Sequence, residues 1–276
     1  MKKFLTILLC IALSISMLTF TACKSGSPGH FDGEYQASNE TEIQQLADSL
    51  SSKPQSAGFT WENGFKVNLD LSGNMGGGDV SVDIQYCVGL FNSELGVTGK
   101  VDLSDVDGTV KADIYFIDGY TYYDGSLGVH GGSTITGKYK ETSTYADFMD
   151  YFGITTILME SFADSLPYVI GGTKTANYFV ENTTDGMKIK IDIPRQTDVQ
   201  TQGEYTISTD GVGTYIWTYD ADYNLTGIYI DMSSTTATTG PDFSNQTRIS
   251  ATLEILPFDG AIELPSDLDS YVALVH

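Results

Sequence analysis

The chain has 276 residues, and 36 Asp plus Glu against 14 Lys plus Arg give a formal net charge of -22. Phosphate binding needs clustered cations, so charge excludes a nucleic-acid partner; three Cys are too few for a disulfide scaffold or a four-Cys zinc site. A hydrophobic fraction of 41%, with 12% aromatics, suffices for a packed core and sets aside a disordered acidic tail.

Met1-Lys2-Lys3 is a short basic start, and Phe4 to Leu18 is mostly apolar. This has the length of a signal peptide's hydrophobic region and is too short and Ser/Thr-punctuated for a membrane span. The segment closes on Phe20-Thr21-Ala22-Cys23, which resembles the lipobox of bacterial lipoproteins, with Phe20 where that box usually has an aliphatic residue. The resemblance implies cleavage before Cys23 and a diacylglyceryl group on its thiol, with acyl chains of the palmitate kind. The expected organisation is a signal peptide at 1–22, a lipidated flexible tether at 23–38, and one β-rich domain at 39–276. Lipid at Cys23 would hold the chain on the outside of the cell membrane, anchored rather than spanning. An acidic surface is repelled by anionic headgroups, so the lipid must do the holding. Fifteen Gly/Ser/Pro-punctuated residues, Lys24 to Ser38, span about 20 Å as a flexible coil.

Asn39 is placed to cap a helix, with Glu42 at the capping-box position. Ile43, Leu46, Ala47 and Leu50 follow at helical spacing, and Pro54 ends the pattern. From Phe65 the period becomes two. Phe65, Val67, Leu69 and Leu71 alternate with polar residues, Gly76-Gly77-Gly78 turns the chain, and Val80, Val82, Ile84, Tyr86 and Val88 alternate again. Further strands are predicted near 96–103, 109–117, 120–124 and 133–139, with turns at Asp107-Gly108 and Asp118-Gly119. Residues 142–170 read as helical, with Tyr145, Phe148, Met149 and Phe152 on one stripe, then Ile157, Leu158, Phe162 and Leu166. Strands resume at 178–181, 187–193, 204–208, 214–219, 225–232 and 248–256. Asp185-Gly186 and Asp210-Gly211 are predicted turns, and Ser233 to Gly240 a Ser/Thr-rich loop. The fold class expected is α+β, mainly β: a curved antiparallel sheet, a half-barrel with one wet face, clasped around helices that cover the other.

Asp113 to Tyr123, then Gly137-Lys138-Tyr139-Lys140 ahead of the helical region, resembles small Gram-positive lipoproteins of the LolA/LppX-like superfamily. Trp217 to Leu225 resembles a later hairpin of those proteins, and Ile262 to Ser266 their closing "Ile-x-x-Pro" segment. The likeness spans roughly residues 39–272. It implies a LolA-like sheet around helices, enclosing an apolar cavity that holds acyl chains in some members.

The sequence has no G-x-S-x-G, P-loop, H-E-x-x-H or C-x-x-C. His30 falls in the tether and His130 in a Gly-rich loop, which leaves little for His-based catalysis. Once Cys23 is acylated and Cys10 removed, Cys87 is a lone thiol on the polar side of its strand, which reads as a bystander. Asp220-x-Asp222-x-Asn224 matches half of a calcium loop, but Leu225 stands where that loop needs Gly, so a hairpin turn is favoured. No metal or cofactor is therefore assigned. The expected function is a non-enzymatic, lipid-anchored surface protein binding an apolar or amphiphilic ligand, such as a lipid, in the sheet-helix space. Candidate cavity residues are Phe116, Tyr122, Phe148, Phe152, Leu158 and Trp217. The competing reading is an envelope-interaction or carbohydrate-binding module acting through the outer face and its many Tyr; a hydrolase with paired carboxylates stands third.

Overall fold

A computed structural model describes residues 35–50, 63–75, 78–104, 108–129, 134–151, 166, 176–241 and 243–274. Thirteen strands form a single curved, unclosed sheet, and two helices are described with it. In chain order the elements are β1 (Gln36–Ser38), α1 (Glu40–Leu50), β2 (Phe65–Met75), β3 (Gly78–Phe91), β4 (Glu94–Ser104), β5 (Gly108–Ile117), β6 (Tyr120–Val129) and β7 (Thr134–Thr142). Then come α2 (Tyr145–Tyr151), β8 (Asn177–Thr183), β9 (Gly186–Gln202), β10 (Tyr205–Asp220), β11 (Leu225–Gly240), β12 (Phe243–Pro257) and β13 (Val272–Ala273). Strands neighbour one another in the order β1-β8-β9-β10-β11-β12-β2-β3-β4-β5-β6-β7-β13. Every pairing is antiparallel except that of β13 with β7.

Alternation decides which side is covered. Phe65, Val67 and Leu71 on β2, Val80 to Val88 on β3, Ile189 to Ile193 on β9, and Trp217, Ile228 and Ile230 further along share one buried cluster. The same cluster takes in Ile43, Ala47 and Leu50 of α1, Phe148 of α2, and Leu166. The helical segments therefore lie on the sheet's apolar face, as the expected architecture required. Full burial of one such aliphatic or aromatic side chain stabilises by about 1.5–3 kcal/mol.

Both helices start where their capping residues dictate. The Glu42 amide donates to Asn39 Oδ1 at 3.0 Å, and the Ser38 hydroxyl donates to Glu42 at 2.7 Å. At α2 the Asp147 amide donates to Thr144 Oγ1 at 3.1 Å, while the Thr144 amide donates back to Asp147 Oδ2 at 2.9 Å. That reciprocal pair is a capping box, and the Thr144 hydroxyl, which also donates to Asp147 Oδ2 at 2.6 Å, together with the Thr144 amide holds the Asp147 carboxyl below its ordinary range.

Three sequence expectations are corrected. Ser233 to Gly240 is not a loop but the second half of β11, paired residue by residue with β10 and β12. Asp210-Gly211 is not a turn: Asp210 sits mid-ladder between Thr197 and Thr235. Gly211 instead adjoins a β-bulge, and the chain turns at Gly203, whose φ is +64°. Gln36–Ser38, expected to be part of a flexible tether, pairs with β8 as an edge strand. Asp118-Gly119 does turn the chain as expected, with φ of +52° and +73° suited to a tight hairpin. Most of the second helical stretch, including Phe152 and Leu158, lies outside the described residues, as do the segment 1–34 and His130.

The last residues cross the sheet's outer face as a strap. Ile262 is buried there, its amide reaching Leu90 O at 3.4 Å. It lies over Gly89 and Gly96; a Cβ added at Gly96 would meet Ile262 Cγ2 at 3.2 Å. Further on, Lys138 bonds Asp124 at 3.2 Å and Asp267 at 2.8 Å. Tyr271 meets Tyr122 edge-on at 5.4 Å, and β13 then pairs with β7. Ile262→Ala should therefore cost about 2–5 kcal/mol, the range for truncating a buried aliphatic. A denaturant midpoint unchanged from wild type would show that the strap carries no stability.

Candidate functional site

The inner face beneath α2 is built from two adjacent cross-strand rows. One runs Val67, Tyr86, Gly99, Ile114, Tyr123, Tyr139; the next runs Phe65, Val88, Val97, Phe116, Thr121, Glu141. Gly99 lets the Tyr86 side chain lie close, since a Cβ at Gly99 would stand 2.4 Å from Tyr86 Cβ. Phe148 descends from α2 between the rows, with its ring centroid 6.4 Å from that of Tyr86 and 5.6 Å from that of Phe116. Tyr145, the first residue of α2, faces Phe116 at 6.0 Å. Phe65 meets Tyr86 edge-on at 6.5 Å.

Polar atoms interrupt this aromatic cluster. Tyr86 is 2% exposed and Thr121 1%, and neither hydroxyl has a hydrogen-bond partner among the described residues. A buried hydroxyl left unsatisfied costs about 1–3 kcal/mol, so native interiors rarely keep one without a use. At the rim, where β7 runs into α2, the Tyr123 hydroxyl donates to the half-buried Glu141 carboxylate. Burial drives the Tyr86 hydroxyl far above its ordinary pKa, so it stays a neutral donor.

Phe116 and Phe148 face inward as expected and pack on each other. Trp217 is also inward, between Ile189 and Ile228 and stacked on Tyr215 at 5.9 Å. Tyr122 is a correction. It lies on the outer face with Ile117 and Tyr271, under the strap. Tyr120-Thr121-Tyr122-Tyr123 carries aromatic residues in both registers, so composition could not say which one points in. Cys23, Phe152 and Leu158 lie outside the described residues. Sequence reasoning missed Thr121 and Glu141, and read Tyr86 only as one member of an inward lane. Its signal was present: one hydroxyl among Val80, Val82, Ile84 and Val88.

The outer face is chemically different. A depression of about 380 Å³ is lined by Asp83, Gln85, Lys100, Asp102, Lys111 and Asp113, among others. Lysines and aspartates face each other across strands, with Lys111 on Asp102 and Lys100 3.8 Å from Asp113. Such exposed pairs contribute little and keep the face solvated. Cys87 is half-buried, and burial pushes its thiol up, the reverse of a reactive cysteine. Asp220 closes the β10–β11 hairpin: its Oδ1 accepts the amides of Asp222 at 2.9 Å and Asn224 at 2.8 Å. Its Oδ2 accepts the Asn224 side chain at 3.0 Å.

No family model matches the chain, and no curated protein matches it. Among solved structures it is similar to a DUF1329 family protein from Desulfovibrio piger, with 11% identity over 81% of this chain and 93% of that one. The TM-score is 0.18, too slight a likeness to carry an argument.

Buried tyrosines predict alkaline lability. Tyr215 is pushed up to about 12 by burial, and burial raises Tyr86 well above its ordinary value too. An unfolded tyrosine titrates near 10. Above that pH the folded state binds more protons than the unfolded state, so stability falls as pH rises from about 10 toward 12. Below pH 9 these groups should contribute no pH dependence. Tyr86→Phe should flatten the alkaline fall and, in ligand-free protein, raise stability by about 1 kcal/mol through loss of the unpartnered hydroxyl. Phe148→Ala should cost about 3–5 kcal/mol. Urea titrations at pH 8 and pH 11 check all three expectations.

Proposed function

We propose that this is a lipid-anchored, non-enzymatic protein of the outer cell surface that holds an apolar or amphiphilic ligand between the sheet's inner face and its covering helices. The observation that carries the reading is the pair of buried, unpartnered hydroxyls, Tyr86 and Thr121, set in an otherwise apolar interior. An amphiphile supplies what they lack: oxygen atoms for the hydroxyls and hydrocarbon for Phe116 and Phe148. The signal-like start and lipobox-like Thr21-Ala22-Cys23 support the anchor, and the LolA/LppX-like resemblance supports the ligand class. No helix among the described residues is long and apolar enough to cross a membrane. From Cys23 to β1 at Gln36 the chain reaches at most about 45 Å, enough to stand the sheet clear of the bilayer.

A second reading rests on the distal ends of β9–β12. Past Met232 and Ile249 the inner face turns hydroxylic, with Ser234, Thr236 and Thr238 along β11 and Thr236 bonded to Thr209 at 3.4 Å. Tyr205, 47% exposed, lays its ring over Gly240 at the tip. A hydroxyl lattice ending in an exposed ring suits a neutral glycan.

Two measurements separate these readings. Non-denaturing mass spectrometry of protein extracted from membranes should show a diacylglyceryl mass at Cys23 and a second, dissociable lipid. Cys23→Ser should release the protein into the medium or leave it as precursor. An unmodified Cys23 sinks the anchor. Absence of any bound amphiphile, together with glycan binding lost in Tyr205→Ala, moves the function to the β9–β12 tip.

A further inference from the structure

The outer strands of the sheet are covered unequally. β1 lies along β8 and β13 along β7, but β8 meets β9 only from Gly186 to Asp192, while β9 runs on to Gln202. A bulge ends the β8 ladder. Pro194 and Arg195 together oppose Val212 alone, which bends the strand, and Pro194 has no N–H to offer a neighbour. Beyond them β9 is paired with β10 on one side. The two-residue loop at Gly203 makes Gln202 and Tyr205 a hydrogen-bonded pair, and by alternation Gln200 and Asp198 bond Ile207 and Thr209. Thr197, Val199 and Thr201 therefore direct their backbone N–H and C=O groups away from β10, and no strand meets them among the described residues. All three are exposed, Val199 by 59%.

An edge of this kind accepts another extended strand, and its own residues select which one. Laid antiparallel on a second copy about Val199, the strand sets Val199 against the partner's Val199 and Thr197 against the partner's Thr201. Both kinds of pair are favourable cross-strand neighbours. On the other face Asp198 meets the partner's Gln200, and within one chain Gln200 Nε2 already donates to Asp198 Oδ2 at 2.9 Å, so the same bond suits both sides of the junction. Neighbouring registers fail. Centred on Asp198, two carboxylates stand directly opposite. Centred on Thr197, the partner's Gln202 falls beside Asp192, the place Asn177 holds. Charge permits the approach, because Gln196 to Gly203 carries only Asp198 in a chain of net charge -22. We propose that this edge docks a second copy of the chain, giving a closed two-fold dimer in which one sheet runs through both copies by β9–β9 pairing. So short a ladder lies below the roughly 1,200 Å² of a stable complex, so the dimer forms reversibly and at high protein concentration.

The experiment uses the chain from residue 23 onward with Cys23→Ser, so that neither a lipid nor this thiol joins two copies. Sedimentation velocity at pH 8 over about a hundredfold range of protein concentration should show a monomer–dimer equilibrium. Association should be several-fold tighter in about 0.3 M than in about 0.02 M salt, because screening relieves the repulsion of two acidic bodies. Val199→Pro deletes an outward N–H without touching the β10 ladder, and should weaken association at least tenfold with an unchanged denaturant midpoint. Val199→Lys sets like charges opposite each other and should do the same where proline disturbs the strand. In a Cys87→Ser background, Val199→Cys should cross-link under diamide, since about 5.5 Å separates the paired Cα atoms. Thr201→Cys, about 13 Å from its own copy, should not. A monomer at every concentration and salt overturns the proposal and leaves the edge to a strand of another protein or to solvent. A dimer kept by both Val199→Pro and Val199→Lys overturns the edge, and cross-linking through Thr201→Cys but not Val199→Cys overturns the register. Assembly that grows past two overturns the closed two-fold.

Discussion

The sheet depends on one long-range pairing, that of β12 with β2. Phe65 to Asn74 lies against Pro257 to Arg248 in an unbroken ten-residue register. All other pairings within β2–β7 and within β8–β12 join strands that follow one another in the chain. Without the β12–β2 ladder there would be two separate meanders, each with an apolar face and too few helices to cover it. With it, α1 and α2 pack on one cluster drawn from both halves. The cost is loop-closure entropy over about two thirds of the chain, so this ladder is the slow, non-local step that topology imposes.

The two faces then divide the chemistry. Alternation sends the lysines and most acids outward, where cross-strand pairs and solvent satisfy them. It sends aliphatic and aromatic side chains inward, where nothing polar is welcome unless something meets it. Beneath α2 the polar groups that do point in, at Tyr86, Thr121 and Glu141, stand out against apolar neighbours, whereas the distal half of β11 turns Ser234, Thr236 and Thr238 to the same face.

Much of this was legible. The β3 lane from Val80 to Val88, the Asn39 cap and the Asp118-Gly119 turn all follow from local chemistry, and local chemistry is what a sequence displays directly. The failures have physical causes too. Ser233 to Gly240 is polar on both faces, so its alternation carries no hydropathy signal, although Thr suits a strand. Asp210-Gly211 has turn composition, but pairing on both sides overrides it and Gly211 serves a bulge instead. Tyr122 was misassigned because its neighbours are aromatic in both registers. The strand order and the orphaned hydroxyls belong to contacts from tens to nearly two hundred residues apart, which no local pattern encodes.

The edges of the sheet are capped by its two shortest strands, β1 at one end and β13 at the other. β1 is the first described strand along the chain and β13 the last. A pull on the N-terminal segment therefore enters the fold through a ladder of only three residue pairs, Gln36 to Ser38 against Val180 to Tyr178. A ladder so short yields before the longer ones behind it. Mechanical load arriving from that side would be spent on peeling one edge strand, while the inner face and whatever it holds stay under the remaining twelve.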